Sequence, residues 1–352
     1  MTTPHRLRFA LAGAGVIGTH HGLVISELAD RIELAAVVDV RIDRARRLAG
    51  DRGGTAFASL TEALAAVDVD VVVVCTPTGR HAAVATEALA AGKHVIIEKP
   101  AEITVARTDR LIAAQRRAGT VVTVISQHRF DPSTEVVLAA IRRGELGRLT
   151  SGSASVDWWR AQSYYDSGDW RGTWDLDGGG ALMNQGIHTV DLLVAALGRP
   201  AQVFAYTGTL AHERIETEDV AVAVVRFVSG ALGVLHATTA AFPGLSARLQ
   251  VHGDRGSAVI DDDALAFLHV TPPGSPPREE RGGPASTGRA GLPGAGRDPG
   301  RLSDAHRLQY LNFLGAVAGT EDLRVDLEVN RQSIALIAGV YESARTGRAV
   351  DL

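Results

Sequence analysis

Lys99 and His188 are two side chains whose types could do chemistry, a cation for Lys99 and proton exchange for His188. Lys99 follows the apolar run Val95-Ile96-Ile97 and precedes Pro100, which restricts its backbone to extended conformations and so fixes where an ammonium would point. His188 stands four residues after Asn184 and three before Asp191, so on a regular helix the three share one face, and that face could meet a substrate. An imidazole, with an ordinary pKa of about 6.5, exchanges protons at neutral pH. Read alone, each residue has a plainer alternative: a solvated lysine at a strand end, and a buried, hydrogen-bonded histidine on an apolar helix.

A third candidate lies near the start. Gly13-Ala14-Gly15-Val16-Ile17-Gly18 follows an apolar strand and opens a helix, the context in which glycines allow a tight turn and bring backbone N–H groups against a pyrophosphate. Asp39 ends the next strand about 20 residues beyond Gly18, where a carboxylate would accept from ribose hydroxyls and repel a 2′-phosphate. NAD is therefore expected over NADP, with Arg41 near enough to soften the exclusion; a cap on the helix containing Asp43 is the alternative role for Asp39. Cys75-Thr76-Pro77-Thr78-Gly79-Arg80-His81 ends another strand, and ligands of open α/β sheets gather at such carboxyl ends. Thr76, Pro77 and His81 are expected to border the dinucleotide, although Thr76 and Pro77 could instead only start a helix. His20 and His21, in the helix after the glycine loop, read most simply as satisfied or exposed histidines.

These candidates need elements to hold them. Leu7 to Leu11, Leu34 to Asp39, Val69 to Cys75, His94 to Ile97 and Val121 to Ile125 read as strands separated by helices, and Val71-Val72-Val73-Val74 is apolar throughout, as a parallel strand covered on both faces should be. This predicts a doubly wound domain over residues 1–126. Residues 127–352 predict an α+β domain with a mostly antiparallel open sheet: strands at Leu149 to Trp159, Ala201 to Thr209, Val220 to Phe227, Ala231 to Ala240, Ala247 to His252 and Ser257 to Ile260, and helices from Gly180 to Leu197, Asp304 to Ala318 and Glu328 to Thr346. Gly347 to Leu352 reads as a short extended end, and 272–300, rich in Pro, Gly and Arg, reads as a mobile loop. Gln127-His128-Arg129-Phe130 marks the crossing between domains, where pockets commonly form, so Gln127 and Arg129 are candidate cleft residues or, alternatively, hinge contacts.

Composition removes several function classes. The 352 residues exceed what one core usually serves, and their net charge of −4 carries no basic block, which argues against nucleic acid as a partner. The single cysteine, Cys75, allows neither a disulfide framework nor a Cys-based zinc site; no metal is expected, and a reducing cytoplasm fits best. Met1 to Phe9 lacks the parts of a signal peptide, and no apolar run approaches the roughly 18 residues of a membrane helix. An open sheet commonly needs covering, so a homo-oligomer, dimer or tetramer, is expected.

Three motifs in order, the glycine loop, Glu98-Lys99-Pro100, and Gly179-Gly180-Ala181-Leu182-Met183-Asn184-Gln185-Gly186-Ile187-His188-Thr189-Val190-Asp191, resemble the glucose-fructose oxidoreductase and inositol dehydrogenase family over nearly the whole chain. The resemblance implies NAD, oxidation of a secondary alcohol of a sugar or cyclitol, Lys99 and His188 as catalytic residues, Glu98 beside the cofactor, and a Lys99-Pro100 bond that could be cis. It also brings two alternatives: relatives that use transient oxidation to drive glycoside elimination, and a noncatalytic NAD-binding regulator. Inositol dehydrogenases of the family carry an aspartate where this chain has Asn184, which weakens an inositol reading.

All four tryptophans, Trp158, Trp159, Trp170 and Trp174, fall in one stretch with Tyr164-Tyr165, Arg160 and Arg171. Aromatic faces pack on sugar rings and guanidinium groups bind carboxylates or phosphates, so Arg160 and Trp170 join Asn184, Asp191 and Gln127 as candidate substrate contacts. Packing within the domain or against another subunit is the alternative. Tyr164 to Trp174 further resembles the loop of family members that oxidise nucleotide-linked amino sugar uronates.

Overall fold

The computed structural model describes residues 6–272, 274 and 299–352, with the backbone alone for 299–303. The chain divides into two compact units, Met1–Ile125 with Ser303–Arg331, and Ser126–Leu302 with Gln332–Leu352. A single cut near residue 126, as the sequence predicts, therefore misses one feature: residues 303–331 return to the first unit. The reason is apolar burial, since Tyr310, Phe313 and Leu314 join Phe9, Leu11, Val71, Val73 and Ile96 in one core.

In the first unit the strands β1 (Leu7–Ala12), β2 (Ile32–Val38), β3 (Thr55–Phe57), β4 (Val71–Val74), β5 (His94–Ile97) and β6 (Val122–Val124) form a parallel sheet in the order β3-β2-β1-β4-β5-β6. β3 is a strand the sequence pattern did not reveal; three residues are too few to show a period. All four valines of β4 are fully buried at the centre of the sheet. Between the strands lie α1 (Val16–Glu27), α2 (Ile42–Arg52), α3 (Leu60–Ala66), α4 (His81–Ala90) and α5 (Val105–Ala118). Their ends follow local chemistry. Ser59 caps α3 by accepting from the Glu62 N–H while Glu62 reaches back to the Ala58 N–H, and Thr104 caps α5, which Gly119 ends in the left-handed region.

In the second unit α6 (Pro132–Arg142) precedes β7 (Leu149–Asp157), α7 (Gln162–Tyr165), a π-helical turn (Ala181–Gly186) and α8 (Ile187–Leu197). The strands β8 (Pro200–Gly208), β9 (Val220–Phe227), β10 (Leu232–Thr238), β11 (Ala247–Gly253), β12 (Gly256–Asp261), β13 (Ala264–Val270) and β14 (Val350–Asp351) complete a sheet in the order β13-β12-β11-β7-β10-β9-β8-β14. Every pairing is antiparallel except β7 with β10. β13 was not foreseen, and the extended C-terminal end pairs with β8.

One face of this sheet packs on α8 and on Leu336, Ile337 and Val340 of the last helix; the other presents Val222, Val224, Leu232 and Val234 outward. The alternation along β9, buried at Ala221, Ala223 and Val225 and exposed between, is the period-two signature of a sheet covered on one side. Two helices join the units along the chain, α9 (Pro299–Val317) and α10 (Leu327–Thr346). Of the predicted mobile loop, 272–300, residues 273 and 275–298 lie outside the described residues, and 299–300 begin a helix and not a loop. Among the described residues no helix is long and apolar enough to cross a membrane.

Candidate active site

The sheet order reverses at β1 and β4, and the loops after these two strands meet. Gly13 has φ +111°, and a side chain there would bring its Cβ to 2.5 Å from the Cys75 carbonyl oxygen. A Cβ on Gly18 would fall on the Gly13 carbonyl oxygen, whereas Gly15 faces open space. Only glycine fits the first two positions, and the third leaves room for a ligand to approach the backbone.

The Asp39 carboxylate accepts from Ala14 N–H at 2.9 Å and from Arg41 N–H at 2.8 Å, which fixes it beside the glycine loop. The bond to Arg41 is a turn cap two residues on, as the plainer alternative expects, but Asp39 does not cap α2 itself, which begins after Arg41 without a side-chain cap. Val16 and Val40 are 88 % and 92 % exposed, apolar side chains at the mouth of this loop, Ile17 is half-buried, and Thr76 holds a buried hydroxyl oxygen with no partner. An open Gly15, an oriented carboxylate, bare apolar flanks and an orphaned hydroxyl fit a dinucleotide. Pro77 leads into the single turn Thr78–Arg80.

Two residues expected to border the cofactor do something else. His81 is buried, with Nδ1 2.8 Å from the Pro100 carbonyl and Nε2 2.8 Å from the Thr76 carbonyl. Burial pushes its pKa down against the pull of the two carbonyls; in the neutral form the ring donates to one of them and only packs against the other. Glu98 is also buried: Oε1 accepts from His21 Nε2 at 2.9 Å and Oε2 from Lys99 N–H at 2.9 Å. Burial opposes its charge, but His21 and His306 outweigh that and hold its carboxyl well below the usual range. His21 is itself pushed down by burial, so its neutral ring donates to Glu98 and its Nδ1 takes the Tyr310 hydroxyl proton at 2.7 Å. His21, Glu98 and His306 form one of two groups of potential metal ligands among the described residues; in it the first two already bond to each other. Lys99 is half-buried beside its buried neighbours, and its bond to Pro100 is cis.

In the second unit the helix predicted over Gly180 to Leu197 is not regular. Ala181–Gly186 is a π turn, so Asn184 and His188 do not stand in simple α-helical relation. The cause is Glu218, whose carboxylate accepts from Gly180 N–H at 2.9 Å, Leu182 N–H at 2.8 Å and the Tyr341 hydroxyl at 3.0 Å. Burial raises the Glu218 pKa to about 7. Asn184 donates to Asp177, and Gln185 links Asn184 Oδ1 to the Tyr164 hydroxyl, both at 3.0 Å.

Asn184 and His188 are half-buried, but Asp191 is buried and engaged. Its carboxylate takes a forked pair from Arg129, at 2.6 and 2.8 Å, and the Ser333 hydroxyl at 3.0 Å. Asp191 is thus a buried ion-pair partner whose carboxylate is already engaged by three donors within the second unit. That pair also assigns Arg129 to the interior. Gln127 is buried as well, yet its Oε1 has no partner.

The ring of His128 stands edge-on to His188 with centroids 4.9 Å apart. Burial disfavours a charge on His128, but Asp131 at 2.7 Å and Asp263 at 3.2 Å from its Nδ1 outweigh this and raise it to about 10, so it stays an imidazolium. These three residues form the other group of potential metal ligands among the described residues.

The aromatic stretch folds into stacked cations. The Arg160 guanidinium lies 5.3 Å from the Trp158 ring centre and 5.1 Å from that of Tyr164, and donates to Gln185. Arg171 lies 4.3 Å over Tyr164 and 4.5 Å over Trp170 and donates to the Tyr164 hydroxyl at 2.8 Å. Gln185, Asp177 and Glu218 are not singled out by the sequence, whereas Tyr164 lies in the aromatic stretch that is. Gln185 lies inside a motif whose signal is Asn184 and His188, and Glu218 carries no local signal at all.

Comparison with known proteins matches residues 7–126 to an oxidoreductase family with an NAD-binding Rossmann fold, and residues 134–259 to the GFO/IDH/MocA C-terminal domain. The chain is 30 % identical over 269 residues to a myo-inositol 2-dehydrogenase of Thermotoga maritima, covering 73 % of this chain and 75 % of that protein. It is 32 % identical to the solved WlbA dehydrogenase of Bordetella pertussis in complex with NADH and UDP-GlcNAcA, with 99 % of each chain covered and a TM-score of 0.86. A levoglucosan dehydrogenase solved with NADH and levoglucosan shares the fold at 21 % identity, with 99 % of each chain covered and a TM-score of 0.87.

Proposed function

The chain belongs to the GFO/IDH/MocA family and is an NAD-binding oxidoreductase, and on that premise we propose that it oxidises a secondary alcohol of a nucleotide-linked or free sugar acid. The observation that carries this reading is the pair Arg160 and Arg171, held by stacking on Trp158, Tyr164 and Trp170 and joined through Gln185 to Asn184, four residues from His188. Fixed guanidinium groups among aromatic faces suit an anionic sugar better than a neutral cyclitol. The likeness to a dehydrogenase solved with UDP-GlcNAcA supports the same substrate class.

Gly13, Gly15, Val16, Ile17, Gly18, Asp39, Thr76 and Pro77 would hold the dinucleotide, which supplies a hydride acceptor when bound. His188 takes the hydroxyl proton as the carbinol carbon loses its hydride, leaving a carbonyl. The Lys99 ammonium stabilises the charge that develops on that oxygen. Asn184, tied to Asp177 and Gln185, orients a hydroxyl but relays no proton. Relatives named as dehydrogenases support net oxidation over glycoside elimination or a purely regulatory role. The outward apolar face of the second unit's sheet, with Val222, Val224, Leu232 and Val234, supports a homo-oligomer. Light scattering should give a multiple of the chain mass that Val224→Glu reduces.

The decisive assay follows NADH absorbance over inositols, free sugars, sugar acids and nucleotide-linked uronates, with NAD and NADP in parallel. Uronates with NAD should respond most strongly. Response to inositol alone would sink the substrate class, and glycoside cleavage with constant NAD would replace dehydrogenation by elimination.

A further inference from the structure

Residues 98–101 form a turn in which three of the four side chains are buried and only Lys99 reaches toward solvent. Each position is held by a different contact within the first unit. The Glu98 N–H donates to the Val74 carbonyl at 2.9 Å, which continues β4-β5 pairing. The Lys99 N–H donates to the Glu98 carboxylate, and His81 lies against the Pro100 carbonyl. The Ala101 N–H donates to Asn330 Oδ1 at 3.1 Å.

Two of these contacts trace to the segment that returns from the far end of the chain. Asn330 stands in the first turn of α10 and is itself buried. Tyr310 of α9 is fully buried, and its hydroxyl begins a chain of three hydrogen bonds: to His21 Nδ1, from His21 Nε2 to Glu98, and from Lys99 N–H to Glu98. His306, one turn before Tyr310, sets its Nε2 3.9 Å from Glu98 Oε1. Neither Tyr310 nor Asn330 belongs to the glycine loop, and both grip the Lys99 turn by buried polar contacts.

We infer that Tyr310 and Asn330 are positioning residues for Lys99: the returning segment sets the height and direction of the ammonium through the Tyr310–His21–Glu98 relay on one side and the Asn330–Ala101 bond on the other. This rests on the reading of Lys99 as catalytic. A buried chain of hydrogen bonds with every member satisfied resists displacement, and a shift of about 1 Å in a catalytic group costs on the order of a hundredfold in rate.

The test uses the full-length protein, Tyr310→Phe and Asn330→Leu, each alone and combined with Lys99→Ala, on the substrate that responds best in the NADH assay. Tyr310→Phe keeps the ring and removes only the hydroxyl, so the fold survives; Asn330→Leu keeps the volume. Each single variant should lose about tenfold or more in kcat, with both KM values and NAD binding within about twofold, and should add little further loss once Lys99 is alanine. A purely structural role would instead lower stability and add in full to Lys99→Ala. Turnover within about twofold of the parent, or full additivity, overturns the inference. Normal turnover by Lys99→Ala alone overturns the catalytic reading and, separately, this inference with it. Should no substrate respond, the rate at which trinitrobenzenesulfonate modifies Lys99, followed by mass spectrometry across pH, decides: a changed profile in both variants supports positioning, and an unchanged one refutes it.

Discussion

The turn that carries Lys99 and the turn that carries Asn184 and His188 both present a half-buried polar group among buried neighbours, but they are braced at different ranges. Besides the distant grip of Tyr310 and Asn330, Lys99 is fixed by its own neighbours: Glu98 accepts its N–H, and the residue after it is a proline. The Asn184 turn is held by Glu218, more than 30 residues later, just before β9, without which the N–H groups of Gly180 and Leu182 would be buried and unpaired. A site braced locally leaves a motif in the sequence; one braced from a distance leaves only its exposed residues.

Removing the half-buried groups tests both turns at once and carries the largest effect. Lys99→Ala and His188→Ala should each cost about a hundredfold to ten-thousandfold in kcat with NAD binding retained. Near-normal turnover in either would take that residue out of the mechanism. Next is the brace at the end of the second turn's helix. Asp191→Ala would break the forked ion pair with the mostly buried Arg129 and should destabilise by about 3–5 kcal/mol in denaturant melts. A rise in substrate KM with unchanged stability would restore Asp191 to the substrate.

The distant brace can be isolated by pH. The Glu218 pKa in the folded state, about 7, lies above its ordinary value, so its contribution is fully present below about pH 4.5 and is lost as pH rises through about 7. The stability of Glu218→Gln relative to the parent should therefore improve from pH 5 to pH 8, and a pH-independent difference would show that the carboxyl titrates normally. The smallest effect belongs to the cofactor side. Asp39→Ala should weaken NAD binding by about tenfold and narrow the preference over NADP, measured by fluorescence titration, and an unchanged ratio would deny Asp39 its selective role.

The same contrast in range explains what could be read from the chain. β4, the glycine loop and the alternation of β9 are written in consecutive residues, and the structure has them where periodicity placed them. β3 was too short to show a period, and the π turn depended on Glu218, which nothing near Gly180 announces. Of the candidate site, Asp39, Lys99, Asn184, His188, Arg160 and Trp170 keep their candidacy. His81, Glu98 and Asp191 are already engaged by partners 19, 77 and 62 residues distant: Pro100 for His81, His21 for Glu98 and Arg129 for Asp191. Spacing shows which residues share a face, but not whether a buried partner has already taken the side chain.

Tyr310 and Phe313 sit in the core of the unit that begins at the N-terminus. On the ribosome, the first six strands emerge long before those two rings exist, and the whole of the second sheet is synthesised in between. The nascent nucleotide-binding unit must therefore wait with an unfilled apolar seat until residues 303–331 have been made, reversing the usual order in which the N-terminal domain finishes first. Ribosomes stalled near residue 300 should carry that unit in a loose, protease-sensitive form that translation past residue 331 makes compact.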